Sequence, residues 1–120
     1  MNAELHELGV VGVLSALSDK TVSSVELTRH LLDRIDAHAA LGAFLHVDAD
    51  GALAAAQDAD QRRAKGDFLP LLGVPIAHKD IFVTADHPTT AGSKMLAGYR
   101  SPFDATVVAR LKAAGTVTLG

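Results

Sequence analysis

The most constraining stretch of the sequence is Leu72-Gly73-Val74-Pro75-Ile76-Ala77-His78-Lys79-Asp80-Ile81-Phe82-Val83, an apolar run with a lysine inside it. Glycine and proline bound it on one side and Thr84-Ala85-Asp86 on the other, the pattern of a short buried strand over 74–83. Side chains alternate along a strand. Ala77, Lys79, Ile81 and Val83 would then share one face, and Ile76, His78, Asp80 and Phe82 the other. An ammonium on an apolar face has two readings. Its stem can cover apolar surface while its head reaches water. Alternatively, burial disfavours the charged form, and a neutral amine can take a proton from a hydroxyl, as in Ser-Lys catalysis. Periodicity alone does not choose between them.

The elements before this run read as helices. Over 3–17, Val10, Val13, Leu14 and Leu17 follow helical spacing, with Leu5 and Leu8 one turn earlier, although Gly9 and Gly12 weaken the pattern. Ser23-Ser24-Val25-Glu26 has the form of a capping box and starts a second helix that runs to about Ala37. A short turn between these two helices suggests an antiparallel pair. Phe44-Leu45-His46-Val47 suggests a short strand. Asp48 or Asp50 can cap an alanine-rich helix over 50–65, which Gly66 ends just past its C-cap. Later, Ser93 to Tyr99 fits a short helix. Pro102 and Asp104 lead into a helix over 104–114 with Val107, Val108 and Leu111 inward and Gly115 as terminator, and Thr116-Val117-Thr118-Leu119 reads as a second strand. Strand, helix and parallel strand make the crossover unit of an α/β fold. A parallel strand needs cover on both faces, so the sequence reads as an N-terminal fragment of a larger domain.

Composition narrows the function classes. The chain has 120 residues, 48% hydrophobic and 21% charged, which is globular rather than disordered. A net charge of -3 gives no reason to expect general nucleic-acid affinity, and Arg62, Arg63 and Lys65 read as a solvated helix end. The absence of cysteine rules out thiolate chemistry and disulfides. Six histidines show no metal-ligand spacing (His30 and His38 are eight apart), so no metal site is expected. Glu4 and Glu7 argue against a basic leader, and no apolar run reaches membrane-spanning length. The expectation is a soluble cytoplasmic protein that does not engage a membrane. Ser93 and Ser101 are the serines near Lys79. Ser93 lies outside any Gly-x-Ser-x-Gly elbow and is better placed to start a helix. Thr89-Thr90-Ala91-Gly92 reads as a shaping turn rather than as chemistry.

Four words recur in one family in this order: Gly73-Val74-Pro75-Ile76-Ala77-His78-Lys79-Asp80, Pro88-Thr89-Thr90-Ala91-Gly92-Ser93-Lys94, Ser101-Pro102-Phe103-Asp104-Ala105-Thr106-Val107-Val108, and Leu111-Lys112-Ala113-Ala114-Gly115-Thr116-Val117-Thr118-Leu119-Gly120. On these the chain resembles the amidase signature family. Within it, the chain looks most like the branch of A subunits in aspartyl/glutamyl-tRNA amidotransferases. The resemblance spans nearly all 120 residues. It implies a truncated α/β fold: N-terminal helices followed by the first strands and helices of a large mixed sheet. Residues 1–120 would form part of a single amidase domain, with 1–66 mostly helical and 67–120 opening the catalytic core. It implies that Lys79 is the base of a Ser-cisSer-Lys triad whose two serines lie beyond residue 120. It implies glutamine hydrolysis, with ammonia passed to B and C partner subunits that act on Glu-tRNA(Gln) or Asp-tRNA(Asn). No cofactor is implied in this chain; ATP and Mg would be used through a partner of the complex. The alternatives are a stand-alone amidase, or a non-catalytic docking module built on residues 1–66.

Overall fold

Residues 4–120 are described by the computed structural model. A 3-10 turn at Leu5–Glu7 precedes helix α1 (Gly9–Ser18). Gly9, at φ 65, separates the two and so breaks the single helix expected over 3–17. Val13 and Leu17 face the core, whereas Val10 is 55% exposed, contrary to the inward position its spacing suggested.

Helix α2 (Ser24–Ala37) begins at the expected capping box: the Ser23 hydroxyl accepts the Glu26 amide, and the Glu26 carboxylate accepts the Ser23 amide. Helix α3 (Ala49–Ala64) is capped by Asp48, which accepts the Gly51 amide. It ends at Gly66 (φ 89), where Gly66 donates to the Arg63 carbonyl and Asp67 to the Arg62 carbonyl, the two bonds of a Schellman ending.

The main helix pair is α2 with α3 rather than the expected α1 with α2. Ala52, Ala56 and Ala59 lie on one stripe of α3 and are all buried, and their short side chains allow close approach. The Asp60 carboxylate near the end of α3 accepts the Ser24 and Val25 amides in the first turn of α2, so the helices run antiparallel. The core has two parts. Val13, Leu17, Val22 and Leu27 pack with Val74. Ala52 and Ala56 pack with Val117 and Leu119, flanked by Val25, Leu31, Leu32, Ile35 and Phe44.

Strands β1 (Pro75–Ile76) and β2 (Val117–Thr118) pair in parallel, Pro75 opposite Val117 and Ile76 opposite Thr118. Hydrogen bonds extend this contact from Leu71 to Ala114 at one end and from His78 to Gly120 at the other. The strand expected over 74–83 is therefore much shorter. Phe44–Val47 forms no strand; one bond from the Asp48 amide to the Leu119 carbonyl lays that segment beside β2. Helix α4 (Thr106–Ala113) links the strands with Val108 buried, but Val107 is 41% exposed rather than inward. Gly115 (φ 95) ends α4, and a Cβ there would sit 2.8 Å from the Leu72 Cα. Among the described residues, no helix is long and apolar enough to cross a membrane.

Candidate functional site

The ladder ends at His78, and the chain then turns: the Phe82 amide donates to the Lys79 carbonyl at 3.0 Å. Lys79 sits at the start of that turn, and its side chain is exposed. Ala77, Ile81 and Phe82 around it are exposed as well. The desolvation that a buried strand would have supplied is thus absent among residues 4–120, and the alternation argument fails beyond His78.

The next residue explains the turn. Asp80 Oδ1 accepts the Thr90 amide at 2.9 Å, while Oδ2 accepts the Thr90 hydroxyl and, at 3.3 Å, the Gly92 amide. The Asp80 carbonyl takes the Ala91 amide at 2.8 Å. One residue therefore holds a loop ten to twelve residues downstream, and holds Ala91 at φ 50, a conformation costly for a residue with a Cβ. Burial pushes the Asp80 carboxyl up. The bonds from the Thr90 hydroxyl and amide and from the Gly92 amide outweigh this and, with the charge of His87, leave it below the ordinary carboxylate range. Thr89–Gly92 is thus a shaping turn, as its composition suggested.

A second polar cluster joins α4 to the 84–86 loop. Lys112 on α4 reaches Asp86 at 2.5 Å and Asp104 at 2.8 Å. Asp104 also accepts the Ala85 amide and the Thr84 hydroxyl, so it ties the 84–86 loop to α4. The Lys112 bond, then the Ala85 amide, lower the Asp104 carboxyl to about 2 against an opposing effect of burial. Lys112 is raised: burial works against its charge, but the two carboxylates outweigh burial. His78 is half-buried with Nε2 3.3 Å from the Thr118 hydroxyl. Burial, then His87 and Lys112, lower its pKa against the pull of Asp104 and Asp86. His87 is buried with Nε2 unpartnered and its ring stacked on His46. A cleft of about 400 Å³ opens between Asp48, Asp86, His87, Lys112, Thr116 and Thr118. A larger groove, about 720 Å³, is mainly apolar, lies along α2 between Leu31, Ile35, Phe44 and Leu119, and does not include Lys79.

The serines near Lys79 are occupied locally. Ser93 caps the 3-10 turn Lys94–Leu96 by accepting the Met95 amide, which is the helix-starting role expected of it. Ser101 is buried and bonds the backbone of Phe103 in both directions. Arg62 pairs with Asp67, and Arg63 donates to the Leu72 carbonyl at 2.6 Å, so the basic group braces the end of α3 rather than simply meeting water. Sequence reasoning missed the Asp80 clamp and the Asp104–Lys112–Asp86 cluster. Each joins residues separated by at least eight positions, and no local pattern reports such pairings.

The Amidase family profile matches residues 26–120. The chain belongs to the amidase family. It is 63% identical over 105 residues to the A subunit of the glutamyl-tRNA(Gln) amidotransferase of Cupriavidus necator, covering 88% of this chain and 21% of that protein. It is 59% identical over 116 residues to the corresponding protein of Burkholderia thailandensis, covering 97% and 23%. The solved native peptide amidase of Stenotrophomonas maltophilia superposes with a TM-score of 0.88 at 36% identity, over 95% of this chain and 24% of that one. The α/β amidase fold expected from the sequence is therefore borne out. The amidase chain spans between a fifth and a quarter of the length of the curated relatives it matches.

Proposed function

We propose that this chain is the N-terminal part of the A subunit of a tRNA-dependent amidotransferase, and that Lys79 is the general base of its glutamine amidohydrolase site. The observation that carries the reading is the 63% identity to the A subunit of a glutamyl-tRNA(Gln) amidotransferase. In this reading a seryl nucleophile outside residues 1–120 attacks the glutamine side-chain amide. A bridging serine relays its proton to Lys79, completing a Ser-cisSer-Lys triad of which this stretch carries only the lysine. Lys79 returns a proton to the leaving nitrogen, ammonia departs, and water cleaves the glutamyl ester. Because Lys79 is exposed among residues 4–120, the remainder of the subunit has to cover it for the amine to work as a base.

The B and C subunits receive the ammonia and use ATP and Mg to convert Glu-tRNA(Gln) or Asp-tRNA(Asn) to the amidated form, in the cytoplasm. This chain's own residues hold no cofactor in the reaction. The likeness to a peptide amidase, at 36% identity, favours a second reading, a stand-alone amidase on another amide.

The test is ammonia release from glutamine by the full-length subunit in its complex. Lys79→Ala should abolish it while leaving the fold intact. Lys79→Arg should fail too, because a guanidinium does not deprotonate at working pH. Turnover by Lys79→Arg above about a tenth of wild type would rule out the general-base role. Hydrolysis of a peptide amide in preference to glutamine would favour the second reading.

A further inference from the structure

A third cluster lies on the N-terminal helices, on elements that do not carry Lys79. Glu4, His6 and His30 each present a ligand atom, and these atoms all lie within 4.8 Å of one another. Glu4 and His6 belong to the 3-10 turn and its cap, and His30 to α2, so the convergence is tertiary. The His6 Nδ1 lies 3.1 Å from the His30 Nε2, with ring planes 13° apart. The approach is fixed from below, because Leu5 and Leu8 on either side of the turn pack on the core cluster that contains Leu27 of α2. The Glu7 carboxylate accepts the Glu4 amide at 3.2 Å and fixes the backbone at the third ligand.

Two imidazoles and a carboxylate are the donor set of a borderline divalent cation. For an ion about 2.0–2.1 Å from each nitrogen, a separation of 3.1 Å subtends about 95–100°, suited to neighbouring ligands on one ion. Without an ion the rings meet through one N–H···N hydrogen bond, and a cation would replace the shared proton. Both histidines are half-buried and Glu4 is exposed, which leaves an entry path. No other group of three potential ligands converges among the described residues: the His46–His87 pair is stacked in a similar way but no carboxylate completes it. We propose that Glu4, His6 and His30 form a binding site for a divalent transition-metal ion, with zinc the favoured occupant, that fastens the 3-10 turn to α2. This departs from the sequence-based expectation of no metal site, which rested on spacing along single helices.

The experiment is calorimetric titration of the intact protein with Zn²⁺ in a buffer that does not chelate it. The expected result is one ion per chain. His6→Gln and His30→Gln should each weaken binding by at least the roughly tenfold that loss of an outer-shell partner costs. Glu4→Gln should weaken it less, and His46→Gln not at all. Zinc should also perturb the ring resonances of His6 and His30 first in wild-type protein, a readout that does not depend on any variant folding. Absence of stoichiometric binding, unchanged affinity in both His6→Gln and His30→Gln, or ring shifts confined to other histidines would each overturn the proposal.

Discussion

The helical region up to Gly66 and the loop-rich region after it are held together in different ways. In the first, α2 and α3 meet through buried alanines and leucines, and each helix start is closed by a side chain close in sequence. In the second, between Ala77 and Ala105, regular structure shrinks to one 3-10 turn. Large apolar side chains such as Ile81, Met95, Tyr99 and Phe103 face outward. What orders this segment is two carboxylates, Asp80 and Asp104, each accepting several donors from distant loops. Lys79 sits beside one of them. The residues nearest the proposed chemistry are thus placed by a few directed bonds, whereas the scaffold is placed by packed area, which tolerates the loss of any one polar contact.

This contrast orders the expected effects of substitution, measured as denaturation midpoints of the intact protein. Leu27, 1% exposed in the helical core, should cost most: Leu27→Ala is expected to destabilise by about 2–5 kcal/mol. Gly115→Ala comes next at about 2–4 kcal/mol, since it combines a left-handed φ with a Cβ driven into the Leu72 backbone. Asp104→Ala should cost less, about 1–2 kcal/mol once solvent screening of its partly exposed Lys112 partner is allowed for. A larger loss for Asp104→Ala than for Leu27→Ala would break the comparison.

The Asp104 contribution should also depend on pH. Its folded-state value of about 2 lies below the ordinary carboxylate range, so its stabilisation is full above about pH 4 and is lost as pH falls toward 2. Lys112 is raised, so its share is full below about pH 10 and is lost as pH rises past its elevated value. The gap between wild type and Asp104→Ala should therefore stay level from about pH 5 to 9 and close in acid. A gap that is constant down to pH 2 would separate the stability role of Asp104 from its ion pair. The smallest effect belongs to exposed helix positions: Arg29→Ala should change stability by less than about 0.5 kcal/mol.

The same contrast sets what the sequence could reveal. Ser23 with Glu26, Gly66 and Gly115 act within a few residues of themselves, and each marked its helix end correctly, while Asp48 proved to be the cap of the two that the sequence offered, Asp48 or Asp50. The family words carried the fold and pointed to Lys79. The strand over 74–83 failed because the apolar pattern continues through Val83, while the chain is bent after His78 by Asp80 bonding to residues 90–92. Period-two reasoning registers the apolar residues but not a partner ten positions away. Val107 and Val10 failed for a related reason: helical spacing gives a face, and tertiary packing decides which part of that face is covered. The Glu4–His6–His30 convergence left no trace in spacing, because two elements 24 residues apart create it.

Residue-resolved amide exchange on the intact protein, wild type against Asp80→Ala, tests most directly whether directed bonds rather than packing hold the segment that presents Lys79. The Thr90, Ala91 and Gly92 amides all point at Asp80. In the variant, the Thr90 and Gly92 amides should exchange about tenfold faster or more, from a loss of roughly 1.4 kcal/mol or more in local opening. Amides of Leu27–Leu31 and Ala52–Ala59 should keep their wild-type protection. Equal acceleration in the helices and the loop, or no acceleration at Thr90 and Gly92, would contradict the account.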